Sequence, residues 1–249
     1  MLIAVAGGTG LVGRFVVRIV GERGHDAVVL SRTKGTDLAT GEGVREALAG
    51  VTAVIDVSNT TTLSAAKSTA FFETATGHLL AAGRYCDVAH HVALSIVGVD
   101  RVPTGYYRGK LAQERAIAAG PLPWTVLRAT QFHEFPAQLL RRIAGPVVPV
   151  PVMRTAPVAA REVAARLVDL ATGAPAGMAR ELAGPEVHLL PDLARREVRR
   201  QRRHRLVVGV RQPGEAGRLM ADDGLLPQGE HDRGTQSFDD WLAAQSRSS

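Results

Sequence analysis

The sequence predicts an α/β protein with a Rossmann-like, doubly wound parallel sheet and a smaller C-terminal lobe. Two observations carry this prediction. Short apolar runs alternate with helical patterns through the first half of the chain, and a glycine-rich turn follows the first of these runs. Strands that alternate with helices build a parallel sheet through right-handed crossovers. We expect residues 1–145 to form the sheet domain and residues 146–249 to form the smaller lobe.

The opening stretch predicts a strand, a tight turn and a helix. Leu2–Ala6 is a continuous apolar run, and from Leu11 onward apolar residues recur every four positions. The turn between them carries glycines at positions 7, 8, 10 and 13. Glycines let backbone amides approach an anionic pyrophosphate, and the helix N-terminus adds unpaired N–H groups. The stretch therefore predicts a dinucleotide site.

The end of the second predicted strand, Ala27–Ser31, indicates which dinucleotide binds. A carboxylate about 20 residues after the glycine turn usually holds a free ribose 2′-hydroxyl. Here Ser31 is followed by Arg32 and Lys34, and no carboxylate precedes Asp37. Because guanidinium and hydroxyl groups bind a 2′-phosphate that a carboxylate would repel, we expect NADP(H).

The later elements continue the alternation. Further strands are predicted at residues 53–57, 92–96, 124–127 and 206–210. Helices are predicted at residues 65–82, 106–119, 161–171 and 238–244. The proline-rich stretch from Gly145 to Pro157 is typical of irregular or edge-strand structure.

The basic charge of the chain is concentrated in one segment. The net charge of +6 equals seven arginines minus Glu197 between Arg195 and Arg205. This segment lacks interleaved aromatic residues and any DNA-reading motif, so we expect a solvated helix face and no nucleic-acid partner.

Several other classes of protein are not expected. The single cysteine excludes a disulfide framework or a cysteine-based zinc site, and His90–His91 lacks further ligands at metal-site spacing, so no metal is expected. Without an export leader or an apolar run near ~18 residues, we expect a cytoplasmic protein with no membrane partner.

Three residues at or beyond the end of the fourth predicted strand are of the types that carbonyl reduction requires. Ser95 lies near the end of this strand. Tyr106 and Lys110 lie four positions apart, on one face of the predicted helix that follows. A tyrosine can protonate the alkoxide that forms when a nicotinamide hydride reduces a carbonyl. We expect the neighbouring ammonium to lower the tyrosine pKa toward the working range, while the serine hydroxyl holds the substrate oxygen.

A substrate pocket is predicted after the fifth strand. Gln131, Phe132 and His133 follow this strand and would project at the edge of the sheet where ligands bind. Packing within the protein core is the alternative for these three side chains.

Four segments resemble an atypical short-chain dehydrogenase/reductase of the NAD(P)H-binding, NmrA-like branch: GGTGLVG, DVSN, ALSIVGVDRVPTGYYRGKLAQE and WTVLRATQFHEF. The resemblance implies pyrophosphate contacts by Gly7, Thr9, Gly10, Leu11, Val12 and Gly13. It implies that Ser31 and Arg32 bind the 2′-phosphate, that Asp37 and Leu38 lie near adenine, and that Ser58 and Asn59 lie near the cofactor ribose. Ser95, Tyr106 and Lys110 match the catalytic serine, tyrosine and lysine, and the lysine also contacts the nicotinamide ribose.

Three functions follow from this sequence. The first is an NADPH-dependent oxidoreductase that reduces a carbonyl or quinone group of a small organic substrate. The second is an NADP(H)-sensing regulator that binds a partner without turnover. The third is a redox-neutral isomerisation or cyclisation at the same site. The sequence leaves a homodimer possible.

Overall fold

The computed structural model describes residues 1–62 and 64–247. The helices are α1 (Leu11–Glu22), α2 (Val44–Ala47), α3 (Ala65–Tyr85), α4 (Gly105–Ala118), α5 (Phe135–Arg142), α6 (Ala160–Thr172), α7 (Leu190–Arg200), α8 (Gly214–Ala221) and α9 (Phe238–Arg247). The strands are β1 (Leu2–Ala6), β2 (Asp26–Leu30), β3 (Ala53–Asp56), β4 (His90–Ile96), β5 (Trp124–Ala129), β6 (Val147–Pro151), β7 (Arg154–Thr155), β8 (Gly177–Met178), β9 (Leu182–Ala183), β10 (His188–Leu189), β11 (Leu206–Val210) and β12 (Asp232–Arg233).

The central sheet is parallel and doubly wound, as predicted. Its strands lie in the order β12-β9-β5-β4-β3-β1-β2, with β8 also beside β5, and each pairing is parallel. The chain moves to one side of β1 to form β2 and to the other side to form β3. Such a reversal opens a crevice at the carboxyl ends of the strands, which is where ligands bind in open α/β sheets.

The two faces of the sheet bury separate cores because side chains alternate along each strand. Ile3 and Val5 of β1 pack with Val16 of α1 and Leu167 of α6. Ala4 of the same strand packs on the other face, in a cluster that includes residues of β2, β3 and α3. The first core includes apolar residues from both α1 and α6, so a helix beyond residue 145 completes the packing of the first helix.

The C-terminal part of the chain contributes to two regions. Strands β8, β9 and β12 extend the central sheet, together with α6 on its face. The remaining elements form a lobe in which β6 pairs with β11 and β7 pairs with β10. The proline-rich stretch supplies β6, an edge strand, where proline can be accommodated.

The arginine-rich segment spans the end of α7 and the turn that follows. Arg195 pairs with Asp192, Arg196 with Asp239, and Arg200 with the fully buried Glu197. Arg205 donates hydrogen bonds to the carbonyl groups of residues 140, 143 and 145. Much of this basic charge therefore stabilises the lobe itself. In the described part of the chain, no helix has the length and apolar character needed to cross a membrane.

Candidate functional site

The glycine turn leaves no space for side chains at two of its positions. Gly7 has a φ of +79°, and a Cβ atom there would lie 2.7 Å from the Val57 carbonyl oxygen. A Cβ atom on Gly13 would lie 2.2 Å from the Gly7 carbonyl oxygen. The amide of Gly10 donates to that same carbonyl at 2.9 Å, which closes the turn. The glycines are therefore required by the close approach of backbone to backbone.

The first turn of α1 presents its amides without a side-chain cap. Gly10 occupies the N-cap position and makes no capping hydrogen bond from a side chain, and the first turn contains no acidic residue. Unpaired amides and the positive end of the helix dipole favour an anion at this position. Thr9 is exposed, Leu11 is half-buried and Val12 packs into the core, so contacts to an anion here would come from backbone amides.

The end of β2 carries the residues predicted to recognise a 2′-phosphate. Arg32 and Lys34 are exposed in one short turn of 3₁₀ helix, and the Ser31 hydroxyl lies 3.0 Å from that of Thr33. The Asp37 carboxylate accepts a hydrogen bond from the Ala39 amide at 2.8 Å, so it is engaged in its own loop. The Leu38 carbonyl contacts His78 Nδ1 at 2.9 Å, which ties the same loop to α3.

Asn59, beyond the end of β3, contacts the predicted catalytic tyrosine. Its side-chain oxygen accepts hydrogen bonds from the Tyr106 hydroxyl at 2.7 Å and from the Thr60 amide at 2.7 Å. Ser58 is buried, and its hydroxyl has no hydrogen-bond partner among the described residues. The structure thus brings the loop after β3 and the start of α4 together at the carboxyl edge of the sheet.

The environment of Tyr106 raises the pKa of its phenol. Burial is the largest cause, and the neighbouring Tyr107 adds to it. The raised pKa of Tyr106 contradicts the prediction that Lys110 lowers it. The ammonium of Lys110 instead donates hydrogen bonds to the Leu94 carbonyl at 2.5 Å and to the side-chain oxygen of Gln113. Tyr106 is therefore a neutral hydroxyl in this structure.

The buried Ser95 hydroxyl lies at the carboxyl end of β4 and has no hydrogen-bond partner in the described chain. Its strand neighbour across the sheet is Arg128 of β5, which binds Glu114 at 2.7 Å and Asp100 at 2.8 Å. This hydroxyl is thus an unsatisfied buried polar group at the edge of the sheet where ligands bind in open α/β proteins.

The three predicted pocket residues have different surroundings. Gln131 donates to the Tyr107 hydroxyl at 3.2 Å and accepts from the Thr155 hydroxyl at 2.5 Å, so it joins α4 to the lobe. Phe132 is half-buried and forms a bridge with Val158. His133 is fully buried; its ring packs against two aromatic residues of α9, and its Nε2 atom lies 3.1 Å from the Gln236 carbonyl. These contacts favour the packing alternative for His133.

Sequence reasoning missed the buried polar groups behind the site. Asp56, Gln113 and His91 are each at most 1% exposed and lie between the sheet and α4. One signal could have found Asp56 and His91: each is an ionisable residue beside or within an apolar strand pattern. Gln113 follows Lys110 by three positions and therefore shares its helix face.

The hydrogen-bond donors at this edge of the sheet fit a dinucleotide. Backbone amides at the uncapped start of α1 suit a pyrophosphate, and the exposed arginine after β2 suits a further phosphate. Among residues 1–62 and 64–247, no three His, Cys, Asp or Glu side chains come together as a metal site.

No protein-family model matches this sequence, and a comparison with curated proteins finds no significant match. Solved structures do match. A short-chain dehydrogenase/reductase superfamily protein from Agrobacterium tumefaciens with bound NAD has a TM-score of 0.71 and 18% identity, over 100% of this chain and 97% of that one. An NADPH-dependent quinone oxidoreductase from Escherichia coli, complexed with NADPH, has a TM-score of 0.71 and 17% identity, over 98% of this chain and 99% of that one.

A third match is TunA, an NAD-dependent NDP-hexosamine 5,6-dehydratase involved in tunicamycin biosynthesis. It has a TM-score of 0.75 and 16% identity, over 99% of this chain and 96% of that one. Identities this low carry information about the fold and not about the reaction. The prediction is confirmed at the level of the fold: this chain has a Rossmann-like α/β fold similar to those of these three proteins, one of which is a short-chain dehydrogenase/reductase.

Proposed function

We propose that the protein is an NADPH-dependent oxidoreductase of the NmrA-like branch that reduces a carbonyl or quinone group of a small organic substrate. The observation that carries this proposal is the position of Tyr106. Its hydroxyl lies 2.7 Å from the Asn59 side-chain oxygen, at the sheet edge that also carries the glycine turn. A neutral proton donor and a dinucleotide cradle therefore share one crevice.

The proposed cofactor contacts follow from the groups that this edge presents. The turn and first helical residues would hold the pyrophosphate through their backbone amides: Gly7, Thr9, Gly10, Leu11, Val12 and Gly13. Ser31 and Arg32 would bind the 2′-phosphate, and Asn59 would face the ribose. When bound, the nicotinamide supplies a hydride. The absence of a carboxylate near Arg32 supports NADPH over NADH.

The three proposed catalytic residues have separate tasks. Tyr106 keeps its proton near neutral pH, and it would donate that proton to the reduced substrate oxygen. Ser95 presents a buried hydroxyl without a partner in the described chain, which can donate a hydrogen bond to the same oxygen. Lys110 would contact the nicotinamide ribose, and its ammonium donates to the carbonyl of Leu94, the residue before Ser95.

The ring of Tyr106 packs against other aromatic rings. Phe72 packs edge-on to Tyr106 with ring centroids 5.9 Å apart, and Tyr107 follows at 6.1 Å. Phe72 is fully buried, so the half-buried Tyr107 is the neighbouring ring that would meet a planar, apolar substrate such as a quinone. The quinone oxidoreductase with the same fold supports this choice.

Cofactor choice can be tested by calorimetry with NADPH and NADH. We expect NADPH to bind more tightly than NADH, and Arg32→Ala to weaken NADPH binding by roughly 10- to 100-fold, because a charge-assisted contact contributes about 1.5–3 kcal/mol. NADH affinity should stay unchanged in this variant. The exposed Arg115 of α4 provides a matched control as Arg115→Ala. Equal loss for both nucleotides in Arg32→Ala would contradict the assignment of the 2′-phosphate site.

Turnover can be tested by measuring the oxidation of NADPH in the presence of a panel of quinones, ketones and aldehydes. We expect Tyr106→Phe to reduce kcat by roughly 10²–10⁴-fold, because the substituted ring cannot supply the proton. NADPH affinity, measured separately, should change little. A variant that turns over at the wild-type rate would exclude Tyr106 as the proton donor.

One observation favours a second candidate, binding without turnover. Lys110 is directed to a backbone carbonyl and to Gln113, and the pKa of Tyr106 is raised rather than lowered. A sensor of this kind would bind NADP⁺ and NADPH with different affinities and oxidise neither across the substrate panel. A redox-neutral reaction, as a third candidate, would convert substrate without net consumption of NADPH, which product analysis would detect.

A further inference from the structure

Lys110 is buried to a degree that is unusual for an ammonium group. The residue is 4% exposed, and its Nζ atom lies 4.7 Å from the centroid of the Phe72 ring. Two of its donors are taken by the Leu94 carbonyl and by the side-chain oxygen of Gln113. A buried charge is strongly destabilising unless hydrogen bonds and an opposite charge compensate it.

Gln113 connects this ammonium to a buried carboxylate. Its Nε2 atom donates to Asp56 Oδ2 at 2.8 Å, while its Oε1 atom accepts from Lys110. The orientation of the amide is fixed, because an ammonium can only donate and a carboxylate can only accept. Asp56 is fully buried and Gln113 is 1% exposed. The other oxygen of Asp56 accepts from the Ser58 amide at 2.9 Å.

The hydrogen bonds form one chain from the loop after β3 to the carboxyl end of β4. It runs from the Ser58 amide through Asp56, Gln113 and Lys110 to the Leu94 carbonyl. Both ends lie at the edge of the sheet that carries the proposed site. The chain therefore fixes the position of the ammonium with respect to Ser58 and Ser95.

Other charged groups around Lys110 are compensated or neutral. Glu114 of α4 is bound by Arg128 of β5 at 2.7 Å. Burial lowers the pKa of His91 in β4 and raises the pKa values of Tyr106 and Tyr107, which keeps these groups neutral near pH 7. Asp56 is the carboxylate that is connected to Lys110 by hydrogen bonds through Gln113. Burial lowers the pKa of Lys110 to about 8, and Asp56 and Glu114 limit this decrease.

We propose that Asp56 and Gln113 are positioning residues that hold the Lys110 ammonium at the carboxyl end of β4 and keep it protonated at neutral pH. The consequence for a bound dinucleotide rests on the proposed function, in which Lys110 contacts the nicotinamide ribose. Loss of the Lys110 proton would then weaken this contact as the pH rises.

The pKa of Lys110 can be measured directly because the chain contains three lysines. Lysine labelled with ¹³C and ¹⁵N gives three side-chain signals by NMR, and the exposed Lys34 and Lys67 serve as internal references. Lys110→Arg assigns the third signal. We expect the pKa of Lys110 in the wild-type protein to lie well below those of the two exposed lysines.

Two isosteric substitutions should shift this pKa in opposite directions. Asp56→Asn removes the opposing charge and should lower the pKa of Lys110 by roughly one unit or more. Gln113→Glu brings a carboxylate into direct contact with the ammonium, and should raise the pKa by about one unit even if this carboxylate shares a proton with Asp56. A purely structural role would not produce opposite shifts. The exposed Glu215→Gln is the control and should cause no shift.

An unchanged Lys110 pKa in folded Asp56→Asn and Gln113→Glu would overturn the proposal. If Asp56→Asn does not fold, Gln113→Leu replaces it and should also lower the pKa, because the connection to Asp56 is lost. In calorimetry, the pH at which NADPH affinity declines should follow the Lys110 pKa across the variants. If no dinucleotide binds, the proposed function fails, while the NMR shifts still decide the roles of Asp56 and Gln113.

Discussion

The space around Gly13 gives a prediction at the scale of one residue. A methyl group there would lie 2.2 Å from the Gly7 carbonyl oxygen and 2.6 Å from Gly8 Cα, both backbone atoms of the turn. We expect Gly13→Ala to displace the turn and to weaken NADPH binding at least about tenfold, a loss of about 1.4 kcal/mol in calorimetry.

Gly21 of the same helix provides the control for this substitution. A Cβ atom at Gly21 would have no neighbour within 4 Å, so Gly21→Ala should leave NADPH binding unchanged. It should also raise stability by about 0.5–1 kcal/mol, because alanine loses less backbone entropy in a helix. Wild-type affinity in Gly13→Ala would show that the turn tolerates a side chain.

At this scale, sequence reasoning selects candidate residues but not the residues that they contact. It selected Tyr106 from its spacing to Lys110, but not the hydrogen bond from Tyr106 to Asn59, which lies 47 positions earlier. The link from Gln113 to Asp56 spans 57 positions. Contacts of this kind depend on the order of strands in the sheet, which local periodicity does not encode.

The C-terminal helix α9 is attached through its aromatic residues. Phe238 is 1% exposed and stacks with Trp241 at 5.6 Å between ring centroids, and both rings contact the His133 ring. We expect Phe238→Ala to lower the free energy of unfolding by about 3–5 kcal/mol, because it leaves a cavity in this cluster. Urea unfolding followed by circular dichroism would measure the loss.

The neighbouring residue Asp239 provides a control that distinguishes the contribution of aromatic packing from that of a surface ion pair. Asp239 pairs with Arg196 at 3.0 Å, and its side chain is 70% exposed. Asp239→Asn should therefore change the free energy of unfolding by less than about 1 kcal/mol. Similar losses in Phe238→Ala and Asp239→Asn would mean that the aromatic cluster does not anchor α9.

Elements that have a clear local sequence pattern were predicted closely. The helix expected at residues 106–119 spans Gly105–Ala118, and the strand expected at residues 206–210 is Leu206–Val210. The strands β8, β9 and β12 contain two residues each and were not predicted. Two residues are too short for a periodic signal, and their pairing depends on neighbours more than 45 positions away.

At the scale of the whole molecule, the buried Lys110 makes stability depend on pH. The pKa of Lys110 is about 8 in the folded protein, whereas the ordinary value for lysine is 10.5. Between these two pH values the unfolded chain therefore binds more protons than the folded protein. Stability therefore rises with pH in this window. We expect the free energy of unfolding of the wild type to gain about 1 kcal/mol per pH unit relative to Lys110→Met between pH 8 and 9.5.

Paired urea titrations of the two proteins across this range would measure the difference. The comparison removes contributions from other groups, which titrate in both proteins. A difference that stays constant or declines as the pH rises would show that Lys110 is not titrating in the folded state with a lowered pKa.

The packing of α6 against α1 determines how the chain can be divided. The buried face of α1 packs in one cluster with Val163 and Leu167 of α6. This face consists of Val12, Val16, Ile19 and Val20. A recombinant fragment ending at residue 145 would leave this side of α1 open to water and prone to aggregation. The half of the protein proposed to bind the nucleotide is therefore not a portable module, and domain exchange would have to include α6.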